Sequence, residues 1–440
     1  MNNQDIFKKA GDFIRTSAII KVFSIGIFVV LLLIPASMIS SLMKERELRK
    51  DSVVSEINQK WGRSQIITGP FFTVPYKSYY KNEKEESTFT IQYLHILPEN
   101  INISGSIYPQ IRYRSIYEAV LYNTRINING SFTFPALNRN IDPENVLWEQ
   151  ALFSIGIEDM RGIQDSIIVE FNEKEYRASP GLKTSDISLS GVQCAVPLSP
   201  ANGGSRFSLN LNLNGSEQLH FIPVGKTTTV NLQSTWASPS FNGSFLPAAE
   251  EVSDSGFSAS WSILHLNRNY PQVWEGEQYN VGESSFGLKL LITADIYQKS
   301  IRLSKYALMF ILFTFSAFFL TEIISKKRVH PIQYMLIGLA IILFYILLLS
   351  LSEHMNFNIA YILSAGAITA IITGYSKSII RDNRFTLSVF GILTTLYAYL
   401  YIVLQLEDHA LIMGSIGLLI ILSTVMYITR KIDWYSTGKD

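Results

Sequence analysis

The chain holds a single cysteine, Cys194, in 440 residues. An intrachain disulfide is therefore excluded, and an oxidising compartment would be tolerated but not exploited. Cys194 reads as a buried, inert thiol. An excess of charge is also missing. Lys and Arg number 37 against 36 Asp and Glu, a net charge of +1, so there is no basic footprint for nucleic acid. No G-x-S-x-G, no H-E-x-x-H and no metal-spaced Cys/His set occurs, which removes the common signals of hydrolases and metalloenzymes. Triad members far apart in sequence would escape that test. One fragment resembles a phosphate loop, Val224-Gly225-Lys226-Thr227, but the first glycine of that motif would fall on His220. The residues after it alternate as a strand where the loop needs a helix.

What the chain has is hydrophobic length. Hydrophobic residues make up 48%, with a mean hydropathy of +0.18, and they collect at the two ends. Ile19 to Leu42 is apolar over the roughly 20 residues a bilayer requires. Pro35-Ala36-Ser37-Met38 offers no small-x-small cleavage site, so this run reads as a retained signal anchor. Five more runs follow late in the chain: Tyr306–Ile324, Ile332–Leu351, Phe357–Tyr375, Phe385–Gln405 and Ala410–Thr429. Their short gaps force antiparallel neighbours. The expected organisation is a cytoplasmic N-terminus (1–18), a first transmembrane helix (19–42), a periplasmic β-rich domain (43–305), five transmembrane helices (306–429) and a cytoplasmic C-terminus (430–440).

The orientation comes from the gaps. Lys326-Lys327-Arg328 fill the first, Ser352-Glu353-His354 the second, Lys377, Arg381 and Arg384 the third, and Glu407-Asp408-His409 the fourth, and Arg430 and Lys431 follow the last span. Basic gaps alternate with acidic ones, and the positive-inside rule places the basic ones in the cytoplasm. Six spans then put both termini there and the polar middle outside. Lys44, Arg46, Arg49 and Lys50 run against the rule, but they are interleaved with Glu45, Glu47 and Asp51 and precede a long domain.

Between the membrane segments, after a charged and amphipathic stretch over 43–61 that reads as a continuation of the first helix or as a partner-binding helix, the period changes to two. Arg206-Phe207-Ser208-Leu209-Asn210-Leu211-Asn212-Leu213-Asn214-Gly215 is the clearest case, and Thr88 to Leu94, Arg125 to Phe132 and Phe257 to Trp261 repeat it. One polar and one apolar face define half-buried strands. Turn residues separate them. The fold class is a mixed membrane protein: six helices and a large, mostly antiparallel, sandwich-like β domain, with helical pieces near Pro143 to Phe153.

Two sets of residues stand out chemically. Thr394, Tyr397, Tyr401, Gln405 and Asp408 recur at i, i+3, i+7, i+11 and i+14, one stripe on one helix face. Polar groups facing lipid are costly, so the stripe is expected to face other helices, as a proton or substrate route or as interhelical hydrogen bonding. Glu353, His354, Glu407, Asp408 and His409 fall in the two acidic gaps. They read as solvated turns or, if they converge, as a proton or metal site; no metal or other cofactor is assigned. Gly366, Ala370 and Gly374, with Gly414 and Gly417, suggest close helix packing. Glu322 is expected to snorkel or to pair with Lys326.

Several runs together are similar to one family. They are Arg114-Ser115-Ile116-Tyr117-Glu118-Ala119, His330-Pro331-Ile332-Gln333-Tyr334, Leu348 to His354, Leu400 to Leu411 and Tyr427 to Tyr435. This combination resembles the CreD family of bacterial inner-membrane proteins, linked to cell-envelope integrity, over nearly the whole chain. His409 departs from the pattern, where an aromatic residue is commoner, which weakens a His-based metal site. The resemblance implies an inner-membrane protein with a large periplasmic domain, acting in envelope integrity or envelope stress, and supplies no catalytic residues. Its partners are the lipid bilayer and, in that reading, envelope proteins or a second copy. Two other readings stay open: a transporter of a small solute or lipid-linked substrate, and a membrane-embedded enzyme using the outer carboxylates.

Overall fold

The computed structural model describes residues 18–81, 87–134, 141–199, 204–292, 296–325, 329–405 and 410–430. The chain divides into two compact units. One comprises Asp51–Thr293, and the other Met1–Lys50 with Ala294–Asp440.

The first unit begins with the end of helix α1 (Ala18–Trp61). Its 44 residues make about 66 Å of helix, whereas a hydrocarbon core takes about 30 Å. The charged stretch over 43–61 thus continues the first helix. Its end is fixed by backbone sterics. Gly62 has φ +147°, and a Cβ there would lie 2.7 Å from the Asn214 carbonyl oxygen, so only glycine makes this exit. Side chains secure the last turns: Asn58 Nδ2 donates to Glu217 Oε1 at 2.8 Å and Trp61 Nε1 to the Tyr122 carbonyl at 3.1 Å.

Alternation then produces strands. In chain order these are β1 (Gln65–Lys81), β2 (Ser87–Ile96), β3 (Asn100–Arg114), β4 (Tyr117–Phe132), β5 (Leu152–Ile157) and β6 (Ile168–Phe171). They continue as β7 (Lys174–Arg177), β8 (Ser179–Pro180), β9 (Gly191–Ala195), β10 (Ser205–Ser216), β11 (Gln218–Ile222) and β12 (Thr227–Ser234). The set ends with β13 (Pro239–Gly243), β14 (Ala249–Ser253), β15 (Gly256–Leu264), β16 (Val273–Glu275) and β17 (Phe286–Leu290). Single 3-10 turns at Pro143–Asn145 and Trp148–Gln150 stand where helical pieces were expected.

These strands form two sheets. One runs β13-β17-β11-β1-β5-β9-β8, with β2 and β16 attached beside β1. The other runs β14-β15-β12-β3-β4-β10-β6-β7. Pairing is antiparallel except for β1 with β11 and β12 with β3, which are parallel. The two inner faces meet in an aromatic core. Phe72 of β1 lies 4.7 Å from Phe132 of β4, 5.4 Å from Phe153 of β5 and 5.5 Å from Phe171 of β6, ring centre to ring centre. Edge-to-face contacts of this kind add to the burial of the rings themselves. The Leu209, Leu211 and Leu213 side of β10 faces this core while Asn210 and Asn212 face out. Cys194 is buried, and burial pushes its thiol up to about 11, as an inert thiol requires.

The second unit contains the membrane half of α1 and six later helices: α2 (Ile296–Lys305), α3 (Ala307–Ser325), α4 (Pro331–Ser352), α5 (Phe357–Ile380), α6 (Asn383–Gln405) and α7 (Ala410–Thr429). Among the described residues, four helices are long and apolar enough to cross a membrane, and α2 with α3, bent by 49°, makes a fifth if the pair is one span. So the protein is of membrane type, with four to five such helices and a large β unit. Neighbours in sequence pack as neighbours in space: α4 on α5, α5 on α6, and α6 also on α3.

Close approach occurs where it was not expected. A Cβ on Gly338 of α4 would lie 2.1 Å from Leu32 of α1 and 2.9 Å from Phe315 of α3. Gly417 is equally tight against Tyr399 of α6, but Gly366 and Gly374 have nothing within 4 Å. The α5 ridge therefore does not serve close packing among the described residues, in contrast to Gly417.

Candidate functional site

The polar stripe on α6 divides into buried and exposed members. Tyr397 is buried, Tyr401 half-buried, and Thr394 and Gln405 are exposed. Thr394 Oγ1 donates to the Phe390 carbonyl one turn back at 2.8 Å. A threonine satisfied by its own helix needs no partner helix, so it escapes the cost that was expected to turn the whole stripe inward. Gln405 Nε2 donates to Asn358 Oδ1 at 3.0 Å, tying α6 to the start of α5. Asp408 lies outside the described residues.

Around Tyr397 the helices converge on rings. Its centroid is 4.6 Å from Phe310 of α3 and 4.9 Å from Phe344 of α4. Tyr361 of α5 packs 5.5 Å from the same Phe344 and 5.2 Å from Tyr401, and its hydroxyl donates to the Tyr397 carbonyl at 2.7 Å. Three hydroxyls here, on Tyr345, Ser364 and Tyr397, are buried with no hydrogen-bond partner among the described residues. Unpartnered buried hydroxyls are the exception in folded proteins and cost about 1–3 kcal/mol each. Sequence reasoning found Tyr397 and missed Tyr345, Tyr361 and Ser364. The only signal for the last two was their i, i+3 spacing within an apolar run.

The acidic gaps are only partly described. Glu353 sits at the end of α4, where Tyr297 of α2 donates to its Oε1 at 3.2 Å and Arg46 of α1 lies 3.9 Å away. His354 is exposed. Glu407, Asp408 and His409 lie outside the described residues, so the proposed convergence falls there too. Among the described residues no three His, Cys, Asp or Glu side chains gather as metal ligands would. Glu322 does not reach outward: it is buried, accepting from the Tyr334 hydroxyl at 2.8 Å and from the Val329 backbone N–H at 2.9 Å. Its partner Lys326 from the sequence reading lies outside the described residues.

The sheet unit has its own titratable cluster. His95 Nε2 lies 2.7 Å from Asp186 Oδ2, and its Nδ1 3.3 Å from Thr73 Oγ1. The order Thr–His–Asp copies a nucleophile, base and orienting acid. Yet His95 is 0% and Thr73 2% exposed, and Phe71 and Trp274 cover the ring at 6.3 and 5.7 Å. A nucleophile sealed in the core has no substrate, so the cluster is structural. Burial lowers the imidazole below its usual range, partly offset by Asp186. At the foot of α1, Arg161 grips Asp159 through two bonds of 2.8 and 2.6 Å. That grip, against some opposing burial, holds the carboxyl at about 2.

A chain with a multi-helix apolar block and a two-sheet unit inserted after its first helix is a membrane protein with a large extramembrane domain. Residues 17–435 match the family model for the inner membrane protein CreD. The chain is also 31% identical over 426 residues to the inner membrane protein CreD of Escherichia coli (strain K12), covering 93% of this chain and 92% of that one. It therefore belongs to the CreD family of inner membrane proteins.

Proposed function

We propose that this protein supports cell-envelope integrity, or the response to envelope stress, by sensing or scaffolding with its sheet unit on the periplasmic side. In this reading the chain crosses the inner membrane six times, the apolar helix Ala410–Thr429 being the last span, with both termini cytoplasmic. The observation that carries it is the regular alternation of basic and acidic gaps across a chain of the CreD family. Alkaline-phosphatase fusions test the topology. Fusions near residue 200 are expected to be active and fusions after Tyr435 inactive; the opposite pattern would sink it. The cellular role is tested in a deletion strain, whose sensitivity to detergents and to wall-active antibiotics should rise and be restored by the intact gene.

A second reading, transport through the helical unit, draws on the unpartnered hydroxyls of Tyr345, Ser364 and Tyr397. A polar route needs groups that bind a passing solute or water. If the Tyr345→Phe, Tyr397→Phe double variant folds and complements the deletion fully, that reading loses its support.

A further inference from the structure

The outer face of the second sheet is a hollow of about 1070 Å³. Its floor crosses β15, β12, β3, β4 and β10, with Glu250 and Glu251 of the edge strand β14 at one side and Asp165 at the other. This is at the upper end of the volumes of ligand sites. An exposed sheet face is ordinarily kept soluble by long charged side chains. Among the described residues the hollow is lined by no lysine and no aromatic ring, and by one arginine, Arg125, against three carboxylates. The outward positions on the floor are short amides and hydroxyls.

These groups are held in rows. Asn127 Nδ2 donates to Asn210 Oδ1 at 2.9 Å, and Asn129 Nδ2 to Asn127 Oδ1 at 3.0 Å. Gln233 Nε2 donates to Ser106 Oγ at 3.0 Å, and Asn212 Nδ2 to Asp165 Oδ2 at 2.8 Å. A primary amide offers two N–H donors and two lone pairs. One or two such bonds orient each amide and leave it an unused N–H and an unused lone pair. Arg125 is itself stacked on Tyr108, 5.8 Å from the ring centre. The result is a floor of oriented amides and hydroxyls, with Arg125 its one charged member.

We infer that this hollow is a binding site for a neutral oligosaccharide. A chain of sugar rings presents vicinal hydroxyls, each both donor and acceptor, at a density that matches such a floor. The charge balance disfavours a polyanion, since three carboxylates outnumber the one guanidinium. An apolar peptide would find no large apolar side chain to pack on, because Ile126, Leu211 and Leu232 point into the core. The inference is independent of the membrane topology and of the proposed cellular role.

The test uses the full chain, solubilised in a polyoxyethylene detergent because sugar-headed detergents would compete. Maltohexaose, cellohexaose and chitohexaose are titrated separately by calorimetry and by saturation-transfer NMR. At least one should bind with a dissociation constant in the millimolar range or tighter. Asn210→Ala should weaken it about three- to tenfold, the loss of one to two hydrogen bonds. Asn231→Trp, which fills the middle of the floor from an exposed position, should abolish it, with an unchanged melting temperature in both variants. Failure of all three sugars to bind in the millimolar range would overturn the proposal, as would binding that survives Asn231→Trp. Displacement of a bound sugar by hexalysine at low ionic strength, with Asn210→Ala lacking effect, would also overturn it. The acidic margin would then be the recognition element.

Discussion

The two units of this protein treat the same side chains in opposite ways. In the sheet unit asparagine and serine face outward and bond to one another in rows, as Asn127 does with Asn210. In the helical unit the hydroxyls of Tyr345, Ser364 and Tyr397 are buried without a partner among the described residues. The packing differs as well. The sheet core is closed by large rings around Phe72, whereas the helices approach closely at glycines, Gly338 against Leu32 and Gly417 against Tyr399. The difference follows from solvent. In water, burying apolar area drives assembly and large rings contribute most. Lipid is as apolar as leucine, so helices gain mainly by close contact and by internal polar groups.

The sharpest way to break this contrast is Phe72→Ala. Removing a fully buried ring from the aromatic core should cost about 3–5 kcal/mol. Urea unfolding followed by tryptophan fluorescence should show the loss, while helical circular dichroism persists. Simultaneous melting of the helices would refute independent units. Next comes the glycine pair. Gly338→Ala should destabilise by about 1–3 kcal/mol through overpacking against Leu32 and Phe315. Gly366→Ala, in open space, should be neutral or stabilise by under about 1 kcal/mol. Thermal aggregation in detergent would rank the two, and equal effects would void the assignment of the tight contact.

A third prediction concerns pH. His95 is held neutral, below its ordinary value of 6.5. Its contribution is complete above that value and declines as pH falls below it, because the unfolded chain then binds a proton the core refuses. Asp159 acts lower. Its stabilisation is full above the ordinary 3.8 and is lost as pH falls towards 2. The melting temperature of the sheet unit should therefore fall in two stages, and Asp159→Asn should remove only the lower one. The smallest effect is expected for Tyr397→Phe. Deleting an unpartnered hydroxyl should change stability by less than about 1 kcal/mol or improve it. A larger loss would show that the hydroxyl is bonded after all, for instance to water.

Much of this architecture was legible in the residues. The alternation in Arg206 to Gly215 set out β10 with its leucines inward. The five late apolar runs became helices within a few residues of the expected limits, whereas the first helix runs on past Leu42 to Trp61. The sheet order was not legible, since period two fixes which face is buried and says nothing of which strand lies beside it. The His95–Asp186 pair, 91 residues apart, was hidden for the same reason. In the bundle, Tyr397 could be read from its spacing. Tyr345 could not, because a lone buried hydroxyl inside an apolar run leaves no periodic mark, and Ser364 left only its i, i+3 spacing from Tyr361. The Glu322 side chain was expected to reach the surface and instead is enclosed by Tyr334, a contact across the α3–α4 turn that local spacing does not encode.

The parallel pairing of β1 with β11 carries a consequence for biogenesis. Gln65 to Thr68 align with Leu219 to Ile222, and β11 in turn pairs with β17. The start of the strand that leaves α1 therefore waits for a partner made far later, whereas Phe72 to Lys81 pair with the next strand, β2. At ordinary synthesis rates the delay from β1 to β11 is roughly 8–30 s. During that interval Gln65 to Thr68 have an unpaired edge open to wrong partners. Completion of this sheet is thus tied to the arrival of Leu290, the last strand residue before the helices of the second unit begin. A chain cut short between β11 and that point would leave β11 without its outer neighbour.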